Sequence, residues 1–242
     1  MGPKYIRREL SAVIEEAYRY FSVITVTGPR QSGKTTLIRN LFPHLPYYSL
    51  ENLDVRSFAE NDPVAFLNQH AEGMILDEVH NAPNLLSYIQ GMVDDDADRR
   101  FILSGSSQFA MLKRITQSLA GRTAVFELLP LSYSEIREIA SDTPLDHLLL
   151  DGFYPAIYSG RNVPKFLYPA YMKTYLDKDV RDLLQIKDMM QFHTFIRLCA
   201  GRIGSLFKAS ELANEIGVSS HTVTAWLSVL QALSLIHISE PT

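Results

Sequence analysis

The sequence is poor in the residues that carry several common kinds of function. It has one cysteine, Cys199, among 242 residues, which excludes an intrachain disulfide and a cysteine-based zinc site and is typical of a reducing compartment. It has no excess of positive charge, since 23 Lys and Arg stand against 27 Asp and Glu. Such a chain has no general affinity for nucleic acid or for an anionic membrane, so any contact of that kind must come from a local patch.

Long hydrophobic runs are also missing. No apolar segment approaches the ~18–20 residues that a membrane-spanning helix needs. Residues 1–10 have neither the apolar core of a signal peptide nor a myristoylation motif. We therefore expect a cytoplasmic protein that does not contact membrane. The remaining composition, 46% hydrophobic and 21% charged, is ordinary for a globular chain that buries a sizeable core.

What the chain does have is a glycine-containing motif, GPRQSGKT, at residues 28–35. The preceding stretch SVITV (22–26) is β-branched and apolar, and the following stretch TTLIRNLF (35–42) has apolar residues at helical spacing. A strand, a loop and a helix in this order aim backbone N–H groups and a helix N-terminus at a bound polyphosphate. The motif therefore predicts a loop that binds the phosphates of ATP.

Each residue type in this loop has a defined task. Gly28 and Gly33 let the backbone wrap the phosphates closely. The Lys34 ammonium is expected to reach the β- and γ-phosphates, and the Thr35 hydroxyl to ligate Mg²⁺. The predicted ATP-contacting set is Gly28, Pro29, Arg30, Gln31, Ser32, Gly33, Lys34, Thr35 and Thr36.

ATP hydrolysis also needs a carboxylate that holds the metal and a group that positions water. The segment MILDE, residues 74–78, reads as a short buried strand that ends in Asp77 and Glu78. Ligands of parallel α/β sheets bind beyond the carboxyl ends of the strands, where these two carboxylates fall. We assign Asp77 to Mg²⁺ and Glu78 to polarising the attacking water.

Ser104 is a candidate sensor of the γ-phosphate. FILSGSS (101–107) reads as another buried strand, and we expect it to lie between the two strands of the phosphate site. A polar side chain at its end could touch the γ-phosphate or the water, with Ser104 the first choice and Ser106 the second. Serines that cap the following helix are the alternative interpretation.

Arg122 is a candidate for a role between subunits. In LAGR (119–122) it follows a predicted helix and precedes a predicted strand, a position from which an arginine can face the γ-phosphate of a neighbouring subunit. That interpretation implies a homo-oligomer. A surface arginine, or one paired within the chain, is the alternative.

The C-terminal half reads as helical. YSEIREIA (133–140) and the stretch 168–184 predict helices beside the nucleotide. SELANEIG (210–217) followed by SSHTVTAWLSVL (219–230) predicts a helix-turn-helix. No lysine or arginine follows Lys208, and phosphate contacts supply most non-specific DNA affinity. The residues therefore argue against duplex DNA binding by this segment alone and favour packing or contact with a protein.

With GPRQSGKTT, MILDE, FILSGSS, LAGR and PLSYSEI all in order, the chain resembles the prokaryotic AAA-type ATPases of the AAA_14 family, which carry a DUF4143 region after the ATPase core. DGFYPAIY (151–158) looks like the Gly-Gly-Tyr/Phe-Pro element of that family, with Asp151 in place of the first glycine. The resemblance implies an α/β fold: a P-loop core with a parallel sheet of the AAA+ (ASCE) type, then a helical region and a truncated winged helix-turn-helix. It implies no cellular role.

These features predict four segments. We expect the ATPase core over residues 1–130, a helical lid or middle region over 131–190, and a winged-helix-like segment over 191–232. LSLIHISEPT, residues 233–242, matches the translation of a transposase-based sequencing adapter. We expect this tail to be foreign to the protein and the natural chain to continue differently.

The expected function is Mg²⁺-dependent hydrolysis of ATP, used to switch or remodel a protein partner that the sequence does not identify. A different class of function stays open: a nucleotide-gated protein-interaction module, or a DNA-associated regulator, with little turnover.

Overall fold

The computed structural model describes residues 5–105, 115, 117–176, 189–233 and 235–236. The chain divides into two compact units, Met1–Pro164 and Lys165–Thr242. Ser106, the second choice for a phosphate sensor, lies outside the described residues, as does the part of the predicted 168–184 helix after residue 176. Among the described residues, no helix combines the length and the apolarity needed to cross a membrane.

A parallel sheet organises the first unit. Its strands are β1 (Val23–Thr27), β2 (Tyr47–Ser49), β3 (Gly73–Asp77), β4 (Arg100–Ser104) and β5 (Thr123–Glu127). The five strands lie in the order β2-β3-β4-β1-β5, and every neighbouring pair is parallel. The predicted α/β class is confirmed, and β4 lies between β1 and β3 as expected.

Helices connect and flank these strands. In chain order they are α1 (Leu10–Ala17), α2 (Lys34–Leu41), α3 (Leu53–Asn61), α4 (Pro63–Leu67), the 3₁₀ turn Val79–Asn81, α5 (Leu85–Asp95), α6 (Tyr133–Ile139), α7 (Leu145–Asp151) and α8 (Pro155–Tyr158). Helix α6 begins with a capping box, in which Ser132 and Glu135 satisfy each other's backbone N–H groups. Helices α6 to α8 belong to the first compact unit, which ends at Pro164.

The alternation of side chains along each strand builds an apolar layer on both faces of the sheet. The face covered by α3, α4 and α5 buries Val23, Met74, Leu76, Phe101 and Leu103. The face covered by α1 and α2 buries Ile24, Val26, Ile75 and Ile102. Because both faces are covered, β1 and β3 are buried along their whole length.

The second unit is helical in its described part. Helix α9 (Pro164–Tyr171) leads into a π-helical turn (Met172–Leu176), followed by α10 (Met189–Ala200), α11 (Ala209–Ile216) and α12 (Ser220–Ala232). The last three helices share an apolar core that includes Phe192, Phe195, Leu212, Val223, Trp226 and Leu230.

The predicted helix pair of this unit is present. Helix α11 ends at Gly217 in the left-handed conformation, and the Ser219 side chain accepts a hydrogen bond from the Thr222 N–H at the start of α12. The described residues of the unit contain no strand, so the wing stays a prediction. Leu233 is buried, and Leu235 and Ile236 pack on the same core. The foreign origin of residues 233–242 also stays a prediction.

The start of β3 gives a test of the sheet packing. Gly73 has φ +107°, and a Cβ there would lie 1.7 Å from the carbonyl oxygen of Arg100 on β4. We expect Gly73→Ala to lower the free energy of unfolding of the first unit by more than about 2 kcal/mol, because the strand pairing must shift. Chemical denaturation followed by circular dichroism measures this.

Gly91→Ala is the matched control. Gly91 lies within α5, where an added methyl group meets nothing within 4 Å. This change should leave the free energy of unfolding unchanged or raise it by up to about 1 kcal/mol. Equal effects of the two substitutions would contradict the close β3–β4 approach.

Candidate nucleotide-binding site

The phosphate loop lies at the carboxyl edge of the sheet. Gly28 follows β1, and Lys34 is the first residue of α2. Because β1, β3 and β4 are parallel and adjacent in the sheet, Asp77 at the end of β3 and Ser104 at the end of β4 reach the same edge. The structure thus brings the loop, Asp77 and Ser104 together, as the sequence predicted.

The backbone of the loop is tightly constrained. Gly28 has φ +140°, and a Cβ there would lie 2.2 Å from the carbonyl oxygen of Leu128, so no other residue fits. Two residues other than glycine in the described part of the chain have positive φ: Gln31 at 63° and Glu78 at 55°. Left-handed backbone at such residues costs of order 1–3 kcal/mol and occurs where the surroundings hold it, often at functional sites. Both lie in the candidate site.

The Lys34 side chain is buried against the loop's own backbone. Its Nζ donates to the carbonyl oxygens of Gly28 at 3.0 Å and Pro29 at 2.9 Å. Burial lowers the pKa of the Lys34 ammonium, while the charges of Glu78 and Asp77 act in the opposite direction. The loop therefore encloses its cation between carbonyl oxygens, with two carboxylates nearby.

Asp77 accepts hydrogen bonds from three different elements. Its Oδ2 accepts from the hydroxyls of Thr35 on α2 and Tyr47 on β2, each at 2.7 Å. Its Oδ1 accepts from the hydroxyl of Ser104 on β4. The Asp77 residue is only 4% exposed, so these hydroxyls replace water around the carboxylate and fix its orientation. Burial and the hydrogen bond to Asp77 raise the pKa of Tyr47, which keeps that hydroxyl a donor.

The Thr35 hydroxyl and the Asp77 carboxylate fit a magnesium ion. They are hard oxygen donors that lie 2.7 Å apart. Mg²⁺ is typically held by one or two protein oxygens together with substrate phosphates and water. The donor set therefore fits Mg²⁺ that arrives with a nucleotide.

Glu78 lies beside His80, in surroundings that lower the pKa of its carboxyl. The imidazole Nδ1 lies 3.1 Å from Glu78 Oε2, which makes the two side chains an ion pair when the imidazole is protonated. Burial alone would raise the pKa of Glu78, but the neighbouring His80 and the Lys34 and Arg30 charges outweigh it and lower that pKa. An ionised carboxylate is the form that can orient water and accept its proton.

Arg122 lies apart from this site. It precedes β5, and its carbonyl oxygen accepts from the Val23 N–H at the start of β1, so it belongs to the sheet edge opposite the phosphate loop. Its guanidinium forms a two-point ion pair with Asp94, with Nε–Oδ1 at 2.5 Å and Nη2–Oδ2 at 2.8 Å. The intrachain pairing that the sequence left open is present, and Arg122 is not part of its own chain's phosphate site.

Two residues near the site carry no sequence motif and were missed. Tyr47 reaches Asp77, and the guanidinium of Arg39 lies over its ring at 4.7 Å from the centroid. Arg8, before α1, donates to the carbonyl oxygen of Ser32 in the loop at 2.9 Å. Both contacts depend on how distant segments pack.

Family comparisons agree with this architecture in the first part of the chain. Residues 20–137 match a family model described as an AAA domain, AAA_14. Residues 142–242 match DUF8612, a domain of unknown function. The region expected to resemble DUF4143 therefore matches a different family, and that match runs across residues 233–242.

Two curated relatives are similar over most of this chain. They are the uncharacterized proteins Mb2031c of Mycobacterium bovis and Rv2008c of Mycobacterium tuberculosis, each 31% identical over 233 residues. The match covers 93% of this chain and 51% of each relative. The chain thus spans about half the length of the curated relatives it matches.

A solved structure supports the fold. The Walker-type ATPase PABY2304 of Pyrococcus abyssi matches 95% of this chain and 90% of its own, with a TM-score of 0.61 and 13% sequence identity. At that identity the likeness concerns the fold alone. Together with the loop geometry, the sheet order and the family match, it shows that the chain has an AAA-like P-loop core, followed by a helical region that is similar to a domain of unknown function.

Proposed function

We propose that the protein binds Mg·ATP at the phosphate loop and hydrolyses it to ADP and phosphate in order to switch or remodel a partner. One observation carries the proposal: Lys34 and Thr35 at the start of α2 lie at the same sheet edge as Asp77 and Glu78 at the end of β3. A cation, a metal-ligating hydroxyl, a metal-ligating carboxylate and an ionised carboxylate are the groups that phosphoryl transfer to water requires.

Nucleotide binding would use the loop amides and Lys34. The N-terminus of α2 and the backbone N–H groups of the loop favour a polyphosphate. The Lys34 ammonium already lies in the loop, held by the Gly28 and Pro29 carbonyl oxygens. Binding would exchange these contacts for β- and γ-phosphate oxygens, which are stronger acceptors because they are charged.

The metal site would use Thr35 and Asp77. A bound Mg²⁺ would neutralise charge on the β- and γ-phosphates. The Tyr47 and Ser104 hydroxyls keep the Asp77 carboxylate oriented, so Asp77 would need little movement to bind the metal. We propose that Ser104 senses the γ-phosphate, because its hydroxyl donates to the Asp77 carboxylate beside the proposed metal position.

The water-activating role falls to Glu78. It directly follows Asp77, and the surrounding charges lower the pKa of its carboxyl. Its left-handed backbone conformation (φ 55°, ψ 47°) fixes where the side chain leaves the strand end. A general base contributes about 10²–10⁴ in rate when it is correctly placed.

We also propose that the second unit contacts a protein rather than duplex DNA. The α11–α12 pair has no Lys or Arg after Lys208, and Lys208 itself is paired with Glu211 at 2.8 Å. Ile203 and Leu206, between α10 and α11, are 86% and 77% exposed. Apolar side chains at the surface suit a protein partner better than a phosphate backbone.

Lys34→Ala tests nucleotide binding. Loss of the ammonium should abolish measurable ATP binding in calorimetry while circular dichroism shows a folded protein, because the remaining loop amides lack the charge that meets the phosphates. Lys208→Ala, an exposed lysine of the second unit, is the matched control and should bind ATP as the parent does. Unchanged ATP affinity in a folded Lys34→Ala protein would show that the loop is not the ATP site.

Glu78→Gln separates hydrolysis from binding. The amide keeps the size of the side chain but cannot accept a proton, so Mg·ATP affinity should persist while phosphate release falls by about 10²–10⁴. Glu138→Gln, an exposed residue of α6, should leave turnover unchanged. If the parent protein releases phosphate no faster than the Glu78→Gln variant, the nucleotide-gated interaction module is the correct function.

Arg122 is proposed to act on the ATP of a neighbouring subunit. It lies at the sheet edge away from its own loop, and its guanidinium is accessible while paired with Asp94. Arg122→Ala should leave ATP affinity nearly intact and reduce turnover by about 10³–10⁵, the range known for arginine fingers. Mixing Arg122→Ala with Lys34→Ala protein should restore activity that neither shows alone.

Asp94→Asn is the control for Arg122. It removes the ion pair but keeps the guanidinium, so turnover should survive if Arg122 acts on phosphate. A loss of turnover equal to that of Arg122→Ala, or mixed oligomers that form yet stay inactive, would show that the Asp94–Arg122 pair is structural.

A further inference from the structure

Arg8 is a buried arginine that belongs to no recognised motif. Arg8 is 7% exposed, and its guanidinium donates hydrogen bonds to acceptors in two distant segments. Nη1 donates to the Ser32 carbonyl oxygen of the phosphate loop at 2.9 Å. Nε donates to Glu135 Oε1 of α6 at 2.9 Å. Nη2 donates to the carbonyl oxygens of Leu129 and Pro130, at 2.7 and 3.1 Å.

The contact with Ser32 bears on the shape of the loop. A loop whose N–H groups turn toward a phosphate must turn carbonyl oxygens away from it, and buried carbonyl oxygens need donors. Ser32 is fully buried, at 0% exposed, and Arg8 supplies its carbonyl oxygen with a charged donor. The planar guanidinium presents Nη1 to Ser32 and Nε to Glu135 in fixed directions, whereas the donors of a lysine ammonium all leave from one nitrogen.

The contact with Glu135 extends this link to the start of α6. Glu135 Oε1 also accepts from the Glu9 N–H at 2.7 Å, and Oε2 accepts from the Ser132 N–H at 2.8 Å. The Ser132 hydroxyl in turn accepts from the Glu135 N–H at 3.1 Å. One carboxylate therefore joins the N-terminal segment, through Arg8, to the capping box of α6.

We propose that Arg8 is a positioning residue of the nucleotide site, which holds the phosphate loop in its binding shape through Ser32 and couples it to the start of α6 through Glu135. The inference rests on the proposed ATP site. Arg8 contacts a backbone carbonyl oxygen of the loop and does not contact the reacting atoms. It therefore sets the affinity for nucleotide rather than the rate of the chemical step. Coupling is reciprocal: nucleotide that orders the loop also stabilises the capping box.

Arg8→Ala should raise the Kd for Mg·ATP by about ten- to a hundredfold, the range expected when a hydrogen bond from a charged donor is lost. Turnover at saturating ATP should change by less than about threefold, because Arg8 does not contact the reacting atoms. Arg7→Ala removes the adjacent, exposed arginine and should behave as the parent. Arg8→Lys keeps the charge without the planar fork and should also weaken binding, which keeps the test valid if Arg8→Ala fails to fold.

Hydrogen exchange gives a readout that does not depend on turnover. In the nucleotide-free protein, amides of residues 30–35 should exchange faster in Arg8→Lys than in Arg7→Ala. On addition of ADP, amides of residues 132–136 should become more protected from exchange in the parent, whereas in Arg8→Lys their protection should not change. Glu135→Gln should keep the loop protected, since Ser32 retains its donor, but should weaken the ADP-dependent protection of residues 132–136.

Nucleotide binding by the parent protein separates the role of Arg8 from the proposed ATP site. A parent protein that binds no ATP or ADP would remove both. A parent that binds nucleotide, with folded Arg8→Lys protein that matches Arg7→Ala in Kd and in loop exchange, would overturn the role of Arg8 alone.

Discussion

The buried carboxylate of Asp77 is the constraint on which the site depends. A charge that leaves water must be met by polar groups of the protein, or burial becomes too costly to sustain. Here the hydroxyls of Thr35, Tyr47 and Ser104 meet it, and they come from α2, β2 and β4. Satisfying one carboxylate at the end of β3 therefore fixes three neighbouring elements around it and brings the phosphate loop beside the Asp77 carboxylate.

The sequence predicted the parts of this site that are encoded locally. The strand, loop and helix around Lys34 and the strand that ends in Asp77 and Glu78 are continuous segments, so residue type and spacing were sufficient. The position of β4 between β1 and β3 was also expected, and it is what delivers Ser104 to Asp77. The second region was predicted less well, since it matches DUF8612 rather than DUF4143.

Contacts between distant segments could not be predicted in the same way. Tyr47 meets Asp77 because β2 pairs with β3 in a register that places Tyr47 beside Ile75 and Ser49 beside Asp77, and no local pattern specifies that register. Arg8 and Glu135 are 127 positions apart, and Arg122 and Asp94 are 28 apart. The left-handed backbone at Gln31 and Glu78 departs from local preference, and such departures are expected where function rather than folding selects the conformation.

Every role proposed for these residues depends on ATP binding at the loop of residues 28–35. A crystal structure of the protein with Mg²⁺ and a non-hydrolysable ATP analogue tests it most directly. We expect phosphates inside the loop, the Lys34 Nζ moved from the Gly28 and Pro29 carbonyl oxygens to the β- and γ-phosphates, and the metal beside Thr35 and Asp77. An empty loop at millimolar analogue, with Lys34 still bonded to those carbonyl oxygens, would contradict it.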